Sequence, residues 1–139
     1  MKPDDYLAKA HRALASAHLL LSDGDWEGAC NRAYYAVFDA AQAALLHQSR
    51  MNPAETHTHS GLIAAFGNHL VKSGTLAADL GRSLNHIERI RLLADYTGEG
   101  IESERASWVV DQAESFVQAI LQYRTGAGTN VPDKGQRTP

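Results

Sequence analysis

Residues 26–48 read WEGACNRAYYAVFDAAQAALLHQ, and this stretch decides the fold class. It contains no proline, and no β-branched residues alternate with polar ones, so nothing in it reads as a half-buried strand. Cys30, Ala33, Tyr34, Val37, Ala41, Ala44 and Leu45 recur at steps of three and four. That spacing sets them on one stripe of an amphipathic helix. Several are alanines, which let a neighbouring helix approach closely.

The same grammar extends outward. Before this helix, Ser22-Asp23-Gly24-Asp25 makes a turn. A first helix is expected from about Asp4 to Leu21, started by Pro3 and the acidic pair Asp4-Asp5. Its apolar stripe is Leu7, Ala10, Leu14, Ala17 and Leu21. After it, Ser49 to Ser60 is polar, contains Pro53 and reads as a loop. A short third helix is expected over Ser60–Lys72, stopped at Ser73-Gly74. A fourth runs from near Thr75 to near Tyr96, before Thr97-Gly98-Glu99-Gly100. A fifth spans Ser103–Arg124 and buries Ala106, Val109, Val110, Ala113, Phe116, Val117, Ile120 and Leu121. The expected fold is all-α: an antiparallel up-and-down bundle of four main helices plus one shorter helix, over residues 1–125. Residues 126–139 are Gly, Thr, Pro and charge, and read as a disordered tail.

Composition excludes several function classes. The chain has 139 residues, 44% apolar and 21% charged, with thirteen Lys+Arg against sixteen Asp+Glu and a net charge of −3. No global basic field exists, so binding to nucleic acid requires a local patch. Cys30 is the single cysteine, so no intrachain disulfide forms. No basic segment followed by an apolar run opens the chain, and no apolar run is long enough to span a bilayer. A cytoplasmic location without membrane contact is the expectation.

Helix four breaks the pattern. At 100° per residue, Leu80, Leu84, Ile87 and Ala94 share one narrow arc, and Arg91 falls in its middle. An inward guanidinium needs a partner, and Asp95, one turn on, can supply a carboxylate. Two readings follow: an internal ion pair that fixes packing, or an arc facing a cleft or second subunit, where Arg91 meets a phosphate or a partner. Tyr96 should project to the other side, near Arg89 and Arg82. On helix two, Arg32, Tyr35, Asp39 and Gln42 form a polar-aromatic stripe. It is either a solvated face with an Arg–Asp pairing or a second wall of the Arg91 groove.

Seven histidines invite a metal or catalytic reading. His57 and His59 alternate in a loop with no further ligand at a fixed spacing, so no metal is expected. His59 reads instead as a packing or hydrogen-bonding residue. No Gly-x-Ser-x-Gly turn and no Gly-rich phosphate loop is present, so neither a serine triad nor a nucleotide-binding loop of that type is expected, and no cofactor is implied. Cys30, on the apolar stripe, reads as core.

Three runs resemble one family. Asn31-Arg32-Ala33-Tyr34-Tyr35-Ala36-Val37-Phe38 is similar to the Arg-Ala-Tyr-Tyr-Ala-Val-Phe run of HEPN-domain proteins. Thr58-His59-Ser60-Gly61-Leu62-Ile63-Ala64-Ala65-Phe66 resembles the start of the third helix in the same subgroup. Arg91-Leu92-Leu93-Ala94-Asp95-Tyr96 is similar to its Arg-x-x-Ala-Asp-Tyr signature. The resemblance implies a helical bundle that dimerises through the motif helices. It also implies a minimal nucleotidyltransferase as partner, in a toxin–antitoxin or two-component pair. Many HEPN proteins are metal-independent ribonucleases whose Arg is followed, after four to six residues, by a His that moves protons.

The chain departs from that ribonuclease pattern. Matching Arg89 to the ribonuclease arginine puts Ala94 where His belongs, with Tyr96 two residues beyond; matching Arg91 puts Asp95 and Tyr96 there. Alanine carries no proton, and an ionised aspartate beside an arginine is a poor acid at neutral pH. The expected function is therefore the HEPN partner of a nucleotidyltransferase. Arg91 and Asp95 would line a groove between subunits, with Arg32, Tyr35 and Asp39 as its second wall and Arg89 beside it. Tyr96 resembles a tyrosine that such a partner modifies with nucleotide. The alternatives are a ribonuclease toxin acting on RNA, with Asp95 or Tyr96 replacing the histidine, and a non-catalytic interaction module.

Overall fold

The computed structural model describes residues 1–48, 56, 58–98 and 100–126, except for the side chain of Tyr96. Among these residues there are five helices and no strand: α1 (Pro3–Asp23), α2 (Trp26–Gln48), α3 (His59–Phe66), α4 (Ala78–Thr97) and α5 (Ser103–Thr125). The loop before Thr58 lies largely outside the described residues, as does the tail from residue 127.

Local chemistry sets the boundaries. Pro3 occupies the first turn of α1, where its missing N–H costs nothing, and Asp5 accepts a 2.8 Å hydrogen bond from the Lys2 N–H. Gly24 ends α1 in the left-handed region at φ 84°, and Asp25 at once starts α2. The hydroxyl of Thr58 accepts from the Gly61 N–H at 2.9 Å and caps α3, two residues before the start expected from sequence. α3 continues into a π-helical turn over Gly67–Val71, where the Lys72 N–H reaches the Gly67 carbonyl at 2.9 Å. α4 starts at Ala78 rather than Thr75. The Ser73 hydroxyl bonds Thr75 (2.8 Å) and donates to the His69 carbonyl (2.9 Å), and Gly74 sits at φ 81°, so these residues form a turn.

Cross-links between elements give their directions. Asp4 pairs with Arg124 at 3.2 Å and His18 with Glu114 at 2.8 Å, so α1 and α5 are antiparallel. Ser83 bonds Gln112 (3.3 Å) and His86 stacks on Trp108, so α4 and α5 are antiparallel. α1, α2, α4 and α5 thus alternate up and down. α3 runs alongside α2 in the same direction: His59 packs on Phe38, and ten residues on, Gln48 donates to the His69 carbonyl at 2.6 Å.

The core is thick on one side and thin on the other. α2 buries twelve of its 23 residues, seven of them alanines, against α1 and α5. Among its described side chains α4 buries only Leu84, Ile87 and Ile90; Leu80 and Ala94, expected inside, are half-buried. One flank of α4 therefore faces away from the core.

Candidate functional site

Arg91 points inward. Its side chain is 18% exposed, and its guanidinium carbon lies 4.4 Å from the ring centroid of Tyr34, within cation–π range. Nη1 donates to Asp95 Oδ2 at 3.1 Å, and Nη2 reaches Glu88 Oε1 at 3.5 Å. Glu88 is slightly more buried, at 15% exposure, whereas Asp95 is 58% exposed. The guanidinium is thus held on a ring face of α2 between an inner and an outer carboxylate, both of them on its own helix.

Three polar atoms in this cluster lack a hydrogen bond: Arg91 Nε, Glu88 Oε2 and the Tyr34 hydroxyl. The Tyr34 hydroxyl faces Glu88 without a well-formed bond. Burial, reinforced by the Glu88 carboxylate, pushes its pKa far up and keeps the phenol neutral.

A cleft of about 300 Å³ opens above the pair. From α4 it takes Arg91, Ala94 and Asp95; from the start of α2 it takes Glu27, Gly28, Cys30 and Asn31; Asp25 and Ile101 complete the rim. Asp25 caps α2, its Oδ1 accepting from the Gly28 N–H at 2.9 Å. A side chain at position 28 would run into the Asp25 carboxylate, so glycine is what allows this close cap. The cleft is a single guanidinium among carboxylates: Asp25, Glu27 and Asp95 at the rim, Glu88 beneath. Such a set holds a cation or a hydrogen-bonding partner more readily than a bare phosphate. Cys30 is 3% exposed, and burial pushes its thiol up to about 11, so it is no nucleophile at neutral pH.

The structure brings together Arg91 and Asp95 but not the expected second wall. Arg32, Tyr35 and Asp39 are absent from the cleft lining. The α2 face that meets Arg91 carries Asn31 and Tyr34; Arg32 is one step, 100°, further round. Arg32 lies over the Tyr35 ring at 5.7 Å. Asp39 is buried, with Lys9 of α1 and Arg32 as the charges acting on it, and desolvation raises its pKa. Arg89 is exposed and outside the cleft. The placement of the Tyr96 side chain lies outside the described residues. Glu88 and the Tyr34 ring were missed in sequence. Glu88 is one turn before Arg91 and was legible by spacing, whereas Tyr34 was read only as part of the apolar stripe and of the Asn31–Phe38 run.

The described histidines lie outside the cleft lining. His59 packs on Phe38 at 4.5 Å and on Tyr34 at 5.4 Å, and does not line the cleft. His47 contacts Arg124 and Tyr123. Among the described residues, no three of His, Cys, Asp and Glu are placed to hold a metal ion; His57 lies outside them. No described helix is long and apolar enough to cross a membrane.

Comparison with known proteins agrees with the three motifs. The profile of the HEPN domain matches residues 4–123. The chain belongs to the HEPN family. A UPF0332 protein of Gloeobacter violaceus is 31% identical over 121 residues, covering 86% of this HEPN chain and 93% of its own length. One of Thermotoga maritima is 36% identical over 115 residues, 81% of this chain and 83% of the relative. A Methanocaldococcus jannaschii protein bearing the name "Putative toxin" is 34% identical over 111 residues, 80% of each chain.

Proposed function

We propose that this protein is the HEPN component of a toxin–antitoxin-like pair, working in the cytoplasm as a homodimer beside a minimal nucleotidyltransferase. One observation carries the reading: the cleft holds a fixed arginine among carboxylates, and none of the described histidines lines it. Transesterification of RNA by the usual HEPN route needs an imidazole beside the arginine. A cleft without one binds and presents rather than cleaves. The relatives named as toxins, and the subgroup signature Arg91-x-x-Ala94-Asp95-Tyr96, support a paired toxin-like role.

In this reading Tyr96 is the acceptor. Its hydroxyl oxygen bonds to the α-phosphorus of a nucleoside triphosphate bound by the partner. The α–β phosphoanhydride bond breaks, pyrophosphate leaves, and the phenolic proton passes to solvent. Arg91 and Asp95, five residues and one residue before it, set the surface against which the partner docks.

The test uses the purified full chain, a minimal nucleotidyltransferase encoded beside it, and triphosphates labelled at the α-phosphate. Label is expected on the wild type and absent from Tyr96→Phe, a change that removes only the hydroxyl. Equal labelling of both proteins removes Tyr96 from the reading. Cleavage of tRNA or mRNA by the chain alone, lost in Arg91→Ala, replaces the reading with a ribonuclease toxin.

A further inference from the structure

The outer flank of α4 carries a second feature that the cleft does not use. Arg82, His86, Arg89 and Leu93 follow at steps of four, three and four, and all are exposed. Beside them on α5 stands Trp108, 38% exposed, the one aromatic side chain more than a third exposed among the described residues. Its ring packs on the imidazole of His86 at 4.7 Å between centroids, at 54°. The two rings border a hollow of about 270 Å³ that also takes in Arg82, Ser83, Gln112 and one carboxylate, Asp79.

Charge is sorted along this seam. Arg105 and Gln112, on the flank of α5 that turns to α4, lie in the hollows between the helices, and Gln112 accepts from Ser83 at 3.3 Å. Glu104 and Asp111 occupy the other flank of Trp108, by the 100° step. Arg82 is paired with Asp79, whereas Arg89 and Arg105 have no carboxylate within ion-pair reach among the described residues. A chain of net charge −3 thus concentrates three arginines and an exposed indole on one seam.

We infer that the α4–α5 seam binds single-stranded nucleic acid, with one base stacked on Trp108 and the backbone phosphates on Arg82, Arg89 and Arg105. An exposed ring amid spread cations is the pattern that holds a strand without reading its sequence. A strand is favoured over a lone nucleotide because the cations are spread out: Arg82 and Arg89 are about 10 Å apart along the helix, so successive phosphates can each meet one of them. The Trp108 hollow shares no lining residue with the Arg91 cleft, although Arg105, at the far end of the seam, borders it through Ala94 and Ile101; this binding does not depend on the nucleotidyltransferase reading.

The test measures fluorescence anisotropy of an end-labelled oligo(A) RNA of roughly ten nucleotides, a length within the usual footprint of such sites, against the full chain at several salt concentrations. Binding is expected to weaken roughly tenfold in Trp108→Ala, the usual loss for one stacked base. Arg89→Ala is expected to weaken it and to flatten the salt dependence by about one phosphate contact. Arg12→Ala, on the exposed face of α1, should leave it unchanged, and circular dichroism checks that each variant is folded. No binding by the wild type, unchanged affinity in Trp108→Ala, or an equal loss in Arg12→Ala overturns the inference. So does competition by free AMP as strong, per nucleotide, as by the strand.

Discussion

At the scale of single residues, Arg91 shows how a site can be made from a stability problem. A guanidinium turned into a bundle costs several kcal/mol unless its charge is met. Here Glu88 meets it from inside and Asp95 from outside, while the Tyr34 ring closes one face. The inner pair does the structural work, because Glu88 is largely buried and Asp95 is largely in water. Removing one member of the inner pair leaves the other charge stranded. Arg91→Ala alone is therefore expected to destabilise by about 2–4 kcal/mol, allowing for partial exposure. The double change Glu88→Gln with Arg91→Ala should lose less than the sum of the single changes, with a coupling of about 1–3 kcal/mol. Urea unfolding of the four proteins measures it; additive losses would mean that Glu88 does not hold the arginine. Asp95→Asn is expected to cost under about 1 kcal/mol, as an exposed partner should.

At the scale of elements, periodicity was most legible where apolar residues repeat and least where the backbone leaves the α-helix. α2 and α5 follow their expected bounds because their stripes are long, with Asp25 capping the start of α2 and Gly126 the end of α5. The start of α4 was not legible: Thr75 read as the first residue of the helix, yet its hydroxyl bonds that of Ser73, which also donates to the His69 carbonyl. The π-helical turn at Gly67–Val71 leaves no mark in a 3.6-residue pattern, since its extra residue falls between apolar positions. The Arg91–Asp95 pair could be read from a helical wheel, but the cleft wall on α2 could not, because one step of 100° separates Asn31 from Arg32 and only tertiary packing decides which faces α4. The α2 cap carries a prediction of its own. Asp25 serves the helix and the cleft rim together, so Asp25→Ala should lower stability by about 1 kcal/mol. Asp25→Asn should retain most of it, since asparagine caps equally well. Thermal melts of both variants separate a capping role from a charge role: equal losses in the two would show that the charge, not the cap, is what matters.

At the scale of the whole molecule, burial is distributed unevenly. α1, α2 and α5 share the alanine-lined core, whereas α4, which carries Arg91 and the exposed seam, buries three of its described side chains. Local stability follows local burial, so α4 should open by excursions that leave the rest folded. Amide hydrogen exchange of the free protein is expected to show α2 exchanging near the global unfolding limit and α4 at least tenfold faster. The same imbalance gives assembly something to act on. A partner or second subunit that covers the Arg91 cleft lends α4 the contacts it lacks, and binding stabilises whatever it orders. In the complex, amides of residues 90–97 should slow by about tenfold or more, while those in the middle of α2, already protected, should hardly change. Uniform slowing across all helices would instead mean that assembly raises global stability without docking on α4. No change in residues 90–97 would place the interface elsewhere and leave the Arg91 pair as a packing device alone.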